Sequence, residues 1–407
     1  MKTIKEQAKE IPVISEYAVA VVGGGIAGIA AALSAKRAGA EKVVLIEREF
    51  MLGGLATAGL VTIYLPICDG RGNQVNFGIA EELFRLSIQY GAEDWYPDAW
   101  LDGNDKEARI KQRFKVIYNP NVFACSAEEL LLKEGVEIMY GTIVCGTEIN
   151  EGKIEYLYLE NKSGRSAIKV GSVVDSSGDA DVCKFANAET SLYEKGNELS
   201  SWCYKYTDGE YGLKMLNHFV VPEEYKDEVK EVPVKKYRAL EASEITQQVI
   251  DAHTNLMNFV KVELKGKISR ENSITTMASI PQVRMTRKIN GLYDIDLTDD
   301  GKHFEDSVGV IADWRKVGPV VEVPFRCLYG KDVKNLITAG RCISSTQAMW
   351  EITRVIPSCA VTGEAAGAAA AMADDFSSLD VKKLQEYLLS KGVMIRYEYY
   401  DSLKNNG

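Results

Sequence analysis

The chain has 407 residues, 46% of them hydrophobic, enough for two domains or one large domain with an insertion around an ample core. A net charge of −10 argues against nucleic acid or an anionic membrane as the main partner and favours small molecules. No run of about 18 apolar residues occurs, and Lys2, Lys5, Glu6, Lys9 and Glu10 make the start too charged for a secretory signal, so the expected setting is the cytoplasm.

From Tyr17 the run YAVAVV reads as a buried parallel strand, and Gly23, Gly25 and Gly28 supply G-x-G-x-x-G spacing where it turns into a small-residue helix. The first glycine permits the tight turn, the second lets a pyrophosphate approach the backbone, and the third lets the helix pack on the sheet. Ile26 and Ala27 begin that helix, whose free N–H groups and positive dipole end suit a phosphate. The next strand, VVLI, ends in Glu47, about 20 residues beyond Gly28, where a carboxylate accepts hydrogen bonds from ribose hydroxyls and disfavours a 2′-phosphate. Strand, glycine turn, helix, strand and acid in this order specify a dinucleotide site. Arg48 follows, and then LGGLATAGL, where Gly53 and Gly54 suggest a second backbone turn against an extended ligand, with Ala56 and the Thr57 hydroxyl beside it.

Apolar spacing over 78–90 predicts an amphipathic helix, and the polar, aromatic stretch 91–113 (Trp95, Tyr96, Pro97, Trp100) predicts a surface loop or lid. A helix is expected from Asn121, then strands through Val136–Cys145, Glu155–Leu159 and Lys169–Val174. The last of these ends in Asp175, Ser176, Ser177, Gly178 and Asp179, small and polar enough for a ligand to pass closely. Residues 191–325 lack such signatures. They hold an amphipathic helix around Ile245, Val249, Leu256 and Val260 and a β-prone segment with Arg284 and Arg287, the pattern of an inserted substrate domain. A final strand, Leu336–Ala339, leads through Gly340 and Arg341 to the long helix IPSCAVTGEAAGAAAAMA, with Pro357 and Ser358 in its first turn. So few bulky side chains require close approach to backbone or cofactor, and packing alone is the competing explanation. No strong side-chain cap precedes it, which leaves its first N–H groups for an anionic ligand atom.

The eight cysteines are scattered singly, without the pairs that disulfide reductases or iron–sulfur clusters need, and His218, His253 and His303 show no ligand spacing. No metal is expected.

Taken together, GGGIAG with Glu47, LGGLATAGL, VVDSSGDAD and NLITAGRCIS followed by ITRVIPSCAVTGEAAG resemble the FAD-dependent oxidoreductase family of glutathione-reductase-like flavoproteins. The likeness runs nearly end to end, including PQVRMTRKI, similar to the family's paired-arginine strand, and LQEYLLSKG near the C-terminus. It implies an α/β fold: a Rossmann-like FAD-binding domain split over 15–90, 120–190 and 326–375, an inserted α+β substrate domain over 191–325, and a C-terminal helix and tail over 376–407. By the same likeness Gly23, Gly25, Gly28 and Glu47 hold the ADP half, Ser177, Gly178 and Asp179 lie near it, and Gly340, Arg341 and the helix after Pro357 reach toward the flavin ribityl and ring. Thr346-Gln347 stands where relatives often carry Thr-His, and Asp313-Trp314-Arg315 where many carry Asp-x-His. Both departures remove an imidazole and leave arginine, tyrosine or a carboxylate as proton carrier.

A flavin accepts hydride at N5 and gathers negative charge at N1 and the adjacent carbonyl, so fixed donors are expected there, the helix near Pro357 foremost. Arg284, Arg287 and Arg354 are the candidates to align substrate, since a guanidinium grips a carboxylate bidentately and stays charged when desolvated; a structural salt bridge is the competing role. Arg354 is the best placed, between two cofactor-facing segments. No second glycine fingerprint exists, so NAD(P)H, if used, binds transiently in a one-site, two-step cycle. The leading expectation is an enzyme moving hydride between a small organic substrate and FAD. An electron-transfer subunit and a non-catalytic dinucleotide-binding module stay open beside it.

Overall fold

The structure is a computed structural model that describes residues 2–5, 7, 8, 10–103 and 105–398, so the expected tail beyond residue 398 lies outside the described residues. Its central sheet has the strands Glu137–Met139, Val43–Ile46, Val13–Val22 and Gly164–Asp175 side by side and parallel. The far edge of Gly164–Asp175 is shared. Residues up to Lys169 pair antiparallel with Lys153–Asn161, which continues into Ile143–Asn150, whereas Val173–Asp175 pair in parallel with Leu336–Thr338. The fold is thus α/β, as the sequence implied. The first strand begins at Val13 rather than Tyr17 because its long neighbour offers partners from Ala167 onward.

Register decides where a ligand can lie. Val22 stands opposite both Ile46 and Asp175, and Thr338 opposite Asp175, so the carboxyl ends of these four strands are level. Gly23, Glu47, Ser176 and Ala339, each the next residue, therefore meet on one rim, the side on which open parallel sheets bind ligands.

Two helices of small residues cover the sheet, Ile26–Arg37 and Ile356–Met372, and they touch backbone to backbone. A Cβ at Gly363 or Gly367 would run into the carbonyl oxygen of Ala27 or Ala31. The alanine and glycine content of the second helix therefore serves packing along its body. The buried hairpin Ser307–Ala312/Val320–Pro324 also rests on this helix, with Gly309 leaving room for Val361.

The helix Ile79–Ser87 forms where apolar spacing predicts it, and Pro120–Lys133 where a helix is expected from Asn121. Within 91–113 the chain forms two short helices, Asp98–Leu101 and Lys106–Lys111, anchored where Trp100 stacks on Phe114 with centroids 4.8 Å apart. Between them and the last strand, Cys203–Thr207 pairs with Glu210–Lys214 and Asn272–Met277, and the helix Ala242–Val262 packs Leu256 and Phe259 into a small core with Cys203 and Phe219. Of PQVRMTRKI only Arg287–Ile289 is strand. The residues before it are held by Asn197 instead, whose Oδ1 accepts from the amides of Arg284 and Met285, each at 2.9 Å. Among the described residues no helix is long and apolar enough to cross a membrane, and no group of three or more His, Cys, Asp or Glu residues is gathered to hold a metal.

Candidate functional site

The glycines of the first turn divide their tasks as their surroundings require. Gly23 has φ +98°, and a Cβ there would lie 2.5 Å from the Ser176 carbonyl oxygen. A Cβ on Gly28 would collide with the Gly23 carbonyl oxygen. At Gly25 a Cβ would meet nothing within 4 Å, so its Cα opens onto empty space. Gly25 is also the N-cap of Ile26–Arg37, which has no side-chain cap and no acid in its first turn. Its leading N–H groups and dipole face outward unopposed.

That space is a cavity of about 690 Å³. Gly23, Gly25, Ile26, Ala27, Glu47, Arg48, Gly53, Gly54 and Ala56 line it, as do Ser177, Gly178, Asp179 and Arg341. Gly28, Thr57, Gly340, Pro357 and Ser358 are not part of the wall, and each is engaged behind it. Thr57 donates to the Leu52 carbonyl at 2.5 Å and its side chain backs Gly53, which joins the first turn by donating its N–H to Gly24 at 2.8 Å. Gly340, at φ +66°, donates to Thr362 Oγ1 at 2.9 Å against Ala27. Pro357 and Ser358 are buried in a first turn whose Val355, Ile356 and Cys359 do reach the cavity, and no side chain caps that helix.

Glu47 is 6% exposed. Its Oε2 accepts from the Gly24 amide at 2.6 Å and its Oε1 from the Glu49 amide at 2.8 Å. Burial pushes its carboxyl pKa up, and these amides oppose the shift. Each carboxylate oxygen keeps a free lone pair for a ligand hydroxyl. Across the rim, fully buried Asp175 accepts from the Ser177 hydroxyl at 2.6 Å and the Cys183 amide at 3.0 Å, which fixes the turn carrying Gly178 and Asp179. Arg341 lies over Gly178, donates to the Val283 carbonyl and pairs with Asp179 at 3.2 Å. Burial, with Asp179 and Asp175 nearby, pushes Asp181 up to about 6.

The three arginines part company. Arg284 and Arg354 line the cavity, but Arg287 does not; it donates to the Asp179 carbonyl at 3.1 Å and to Asp181 at 3.4 Å. Arg354 is 13% exposed and pairs with Glu351, while its Nε is buried without a hydrogen-bond partner. Arg284 has one long bond, 3.5 Å to Gln282, and lies 5.7 Å from the Trp202 ring centroid. Burial and then Arg354 hold its pKa below the usual arginine range.

Sequence reasoning missed much of the wall: Trp202, Trp314, Val61, Ile63, Leu65, Ile280, Pro281 and Val283. Alternation in Val61–Leu65 was a usable signal, since positions 61, 63 and 65 share a face. Trp314 stands at a departure already noted. Neither histidine nor tyrosine lines the cavity among the described residues. At the other departures, Thr346 donates to Asp296 and Gln347 to the Leu192 carbonyl, while Arg315 pairs with Asp313.

The sequence pattern of the family described as FAD dependent oxidoreductase matches residues 18–201 and 193–388. This chain belongs to that family. It is an FAD-dependent oxidoreductase, and its residues fit the cofactor: an open Cα at Gly25, two uncapped helix starts and a rim carboxylate at Glu47. Among solved structures the flavoprotein is similar to p-nitrophenol 4-monooxygenase from Pseudomonas putida, at 15% identity over 92% of this chain and 84% of that one, TM-score 0.47. It is similar also to the Sdh1 complex of Mycobacterium smegmatis in the apo form (14%, 91% and 70%, 0.47) and to a geranylgeranyl bacteriochlorophyll reductase-like protein from Thermoplasma acidophilum (12%, 96% and 84%, 0.44). No curated protein matches its sequence.

Proposed function

We propose that the flavoprotein moves hydride between a small organic anion and FAD in one site, with successive partners using the same cavity. The single observation that carries this reading is the continuity of the cavity, whose wall runs from Gly25 and Glu47 to Arg284 and Arg354. In this reading Gly25, Ile26 and Ala27 present amides to the pyrophosphate, Glu47 accepts from the adenosine ribose, and Arg341 with the start of Ile356–Met372 faces the flavin half. Bound FAD supplies a two-electron centre that takes or gives hydride at N5.

The chain's own contribution is alignment and charge. Arg354 and Arg284 grip the substrate anion and hold its reacting carbon in place, which accounts for a large part of the rate in such reactions. The apolar residues Val61, Ile63 and Ile280 keep water from that carbon. Cys359 holds its proton, because burial pushes the thiol up to about 12. Arg287, tied to Asp179 and Asp181, braces the rim rather than the substrate. The same reading takes the strands and helices on either side of 191–325 as one split cofactor domain and 191–325 as the substrate-side insert.

The test is the visible spectrum of the purified protein, followed by anaerobic screening of donors. Two flavin bands that a small organic acid or NAD(P)H bleaches, and a second compound restores, would support the reading. Absent bands after incubation with FAD, or bands that no metabolite bleaches, would sink it.

A further inference from the structure

Around Arg284 and Arg354 the cavity wall carries two indoles. Trp202 donates its Nε1–H to Asn217 at 2.9 Å, and Trp314 donates its own to the Glu351 carbonyl at 3.1 Å. Both polar tips are satisfied within the protein, so neither ring needs a ligand hydrogen bond, and both residues line the cavity. The four residues form one group. Arg284 lies over Trp202, Arg354 pairs with Glu351, and Glu351 carries Trp314 on its carbonyl.

The charge of this group is equally defined. Two guanidiniums face one carboxylate, Glu351, because Glu198, the other acid felt by Arg284, is already 3.7 Å from Lys236. One positive charge is left over. A neutral ligand would leave that charge uncompensated, and a dianion would overfill the site.

We infer that the substrate is a planar monocarboxylate, an aromatic or conjugated acid whose ring stacks on Trp202 or Trp314 while its carboxylate lies on Arg284 and Arg354. This rests on the proposed role of the two arginines and adds the chemical class. Saturated and aromatic rings separate the two claims. A merely apolar pocket prefers the saturated ring, which buries more hydrocarbon, whereas indole faces prefer the aromatic one.

The experiment is calorimetric titration of the FAD-loaded protein with benzoate, cyclohexanecarboxylate and benzamide, with the flavin spectrum recorded on the same samples. Benzoate is expected to bind about tenfold tighter than cyclohexanecarboxylate, the scale of one or two ring contacts, and benzamide to bind far more weakly. In Trp202→Leu the two acids should become nearly equal, with cyclohexanecarboxylate unchanged. Equal or reversed affinities in the wild type would overturn the aromatic class and leave the arginine site standing. Benzamide matching benzoate, or none of the three binding to protein with normal flavin bands, would overturn both. Protein that takes up no FAD would instead refute the functional reading beneath them.

Discussion

Glu47 Oε2 accepts the Gly24 amide at 2.6 Å, so the acid that ends the second strand is bonded to the glycine turn that ends the first. With the Glu49 amide on its other oxygen, the residue shapes the rim as well as lining the cavity. Glu47→Ala should therefore weaken FAD retention by about 1.5–3 kcal/mol, the value of a hydrogen bond to a charged group, and should also lower the melting temperature of the apoprotein. Equilibrium dialysis of FAD against both proteins checks the first effect. Unchanged occupancy would remove Glu47 from the ribose.

Gly25 and Gly28 predict opposite phenotypes. Gly25→Ala places its methyl in open space at an ordinary φ of −69°, so apoprotein stability should stay within ~0.5 kcal/mol of wild type while FAD uptake falls. Gly28→Ala drives a methyl into the Gly23 carbonyl and should cost about 1–3 kcal/mol of stability, or prevent folding. Thermal unfolding without FAD, paired with flavin content, distinguishes them. Equal destabilisation by both substitutions would mean that Gly25 serves packing.

The glycine-turn end of the cavity was legible because its demands are local: a tight turn, a close approach and a strand-end acid each fix a residue type at a short spacing. The end with Arg284 and Arg354 was not, because it is assembled across long separations. Trp202 reaches the cavity from just before the strand Cys203–Thr207, Trp314 from a turn between two buried strands, and Arg354 from the turn before a helix. Arg284 and Arg287 look equivalent in PQVRMTRKI, and only Asn197, some 90 residues earlier and bonded to the Arg284 amide, sets the course on which they diverge. The alanine-rich helix shows the same limit: its composition signalled close packing, yet only the structure tells that Ala27 and Ala31 are what it packs against.

Glu364 sits within that helix, 3% exposed, and accepts from the Ile79 amide at 2.8 Å, which caps Ile79–Ser87 where Gly78 has no side chain to do so. Burial pushes its carboxyl from 4.5 to about 7; the Ile79 bond, Arg37 and Lys391 oppose this and Glu82 adds to it. The folded state thus holds the proton more tightly than the unfolded one. Its stabilising contribution is complete below about pH 4.5 and is lost as pH rises through about 7. Glu364→Gln keeps an acceptor without the charge, so it should gain on wild type between about pH 5 and pH 8, by on the order of 3 kcal/mol at most. Urea unfolding at both pH values measures this. A difference that does not change with pH would show that the carboxylate ionises in place without cost.

Arg354 separates alignment from structure. Among the described residues its one ion pair is with Glu351, three positions earlier, and it lines the cavity. Arg354→Met should leave FAD bound and slow substrate-dependent bleaching of the flavin on the order of 100-fold, the scale at which misalignment acts. Arg354→Lys restores a point charge without the planar fork and should recover only part of the loss. Glu351→Gln is the decisive partner experiment. If Arg354 merely braces Glu351, the two single variants will be equally slow. If Arg354 holds the substrate anion, removing the competing carboxylate should lower KM for that anion while the Met variant raises it, because Glu351 and the substrate then compete for the same guanidinium.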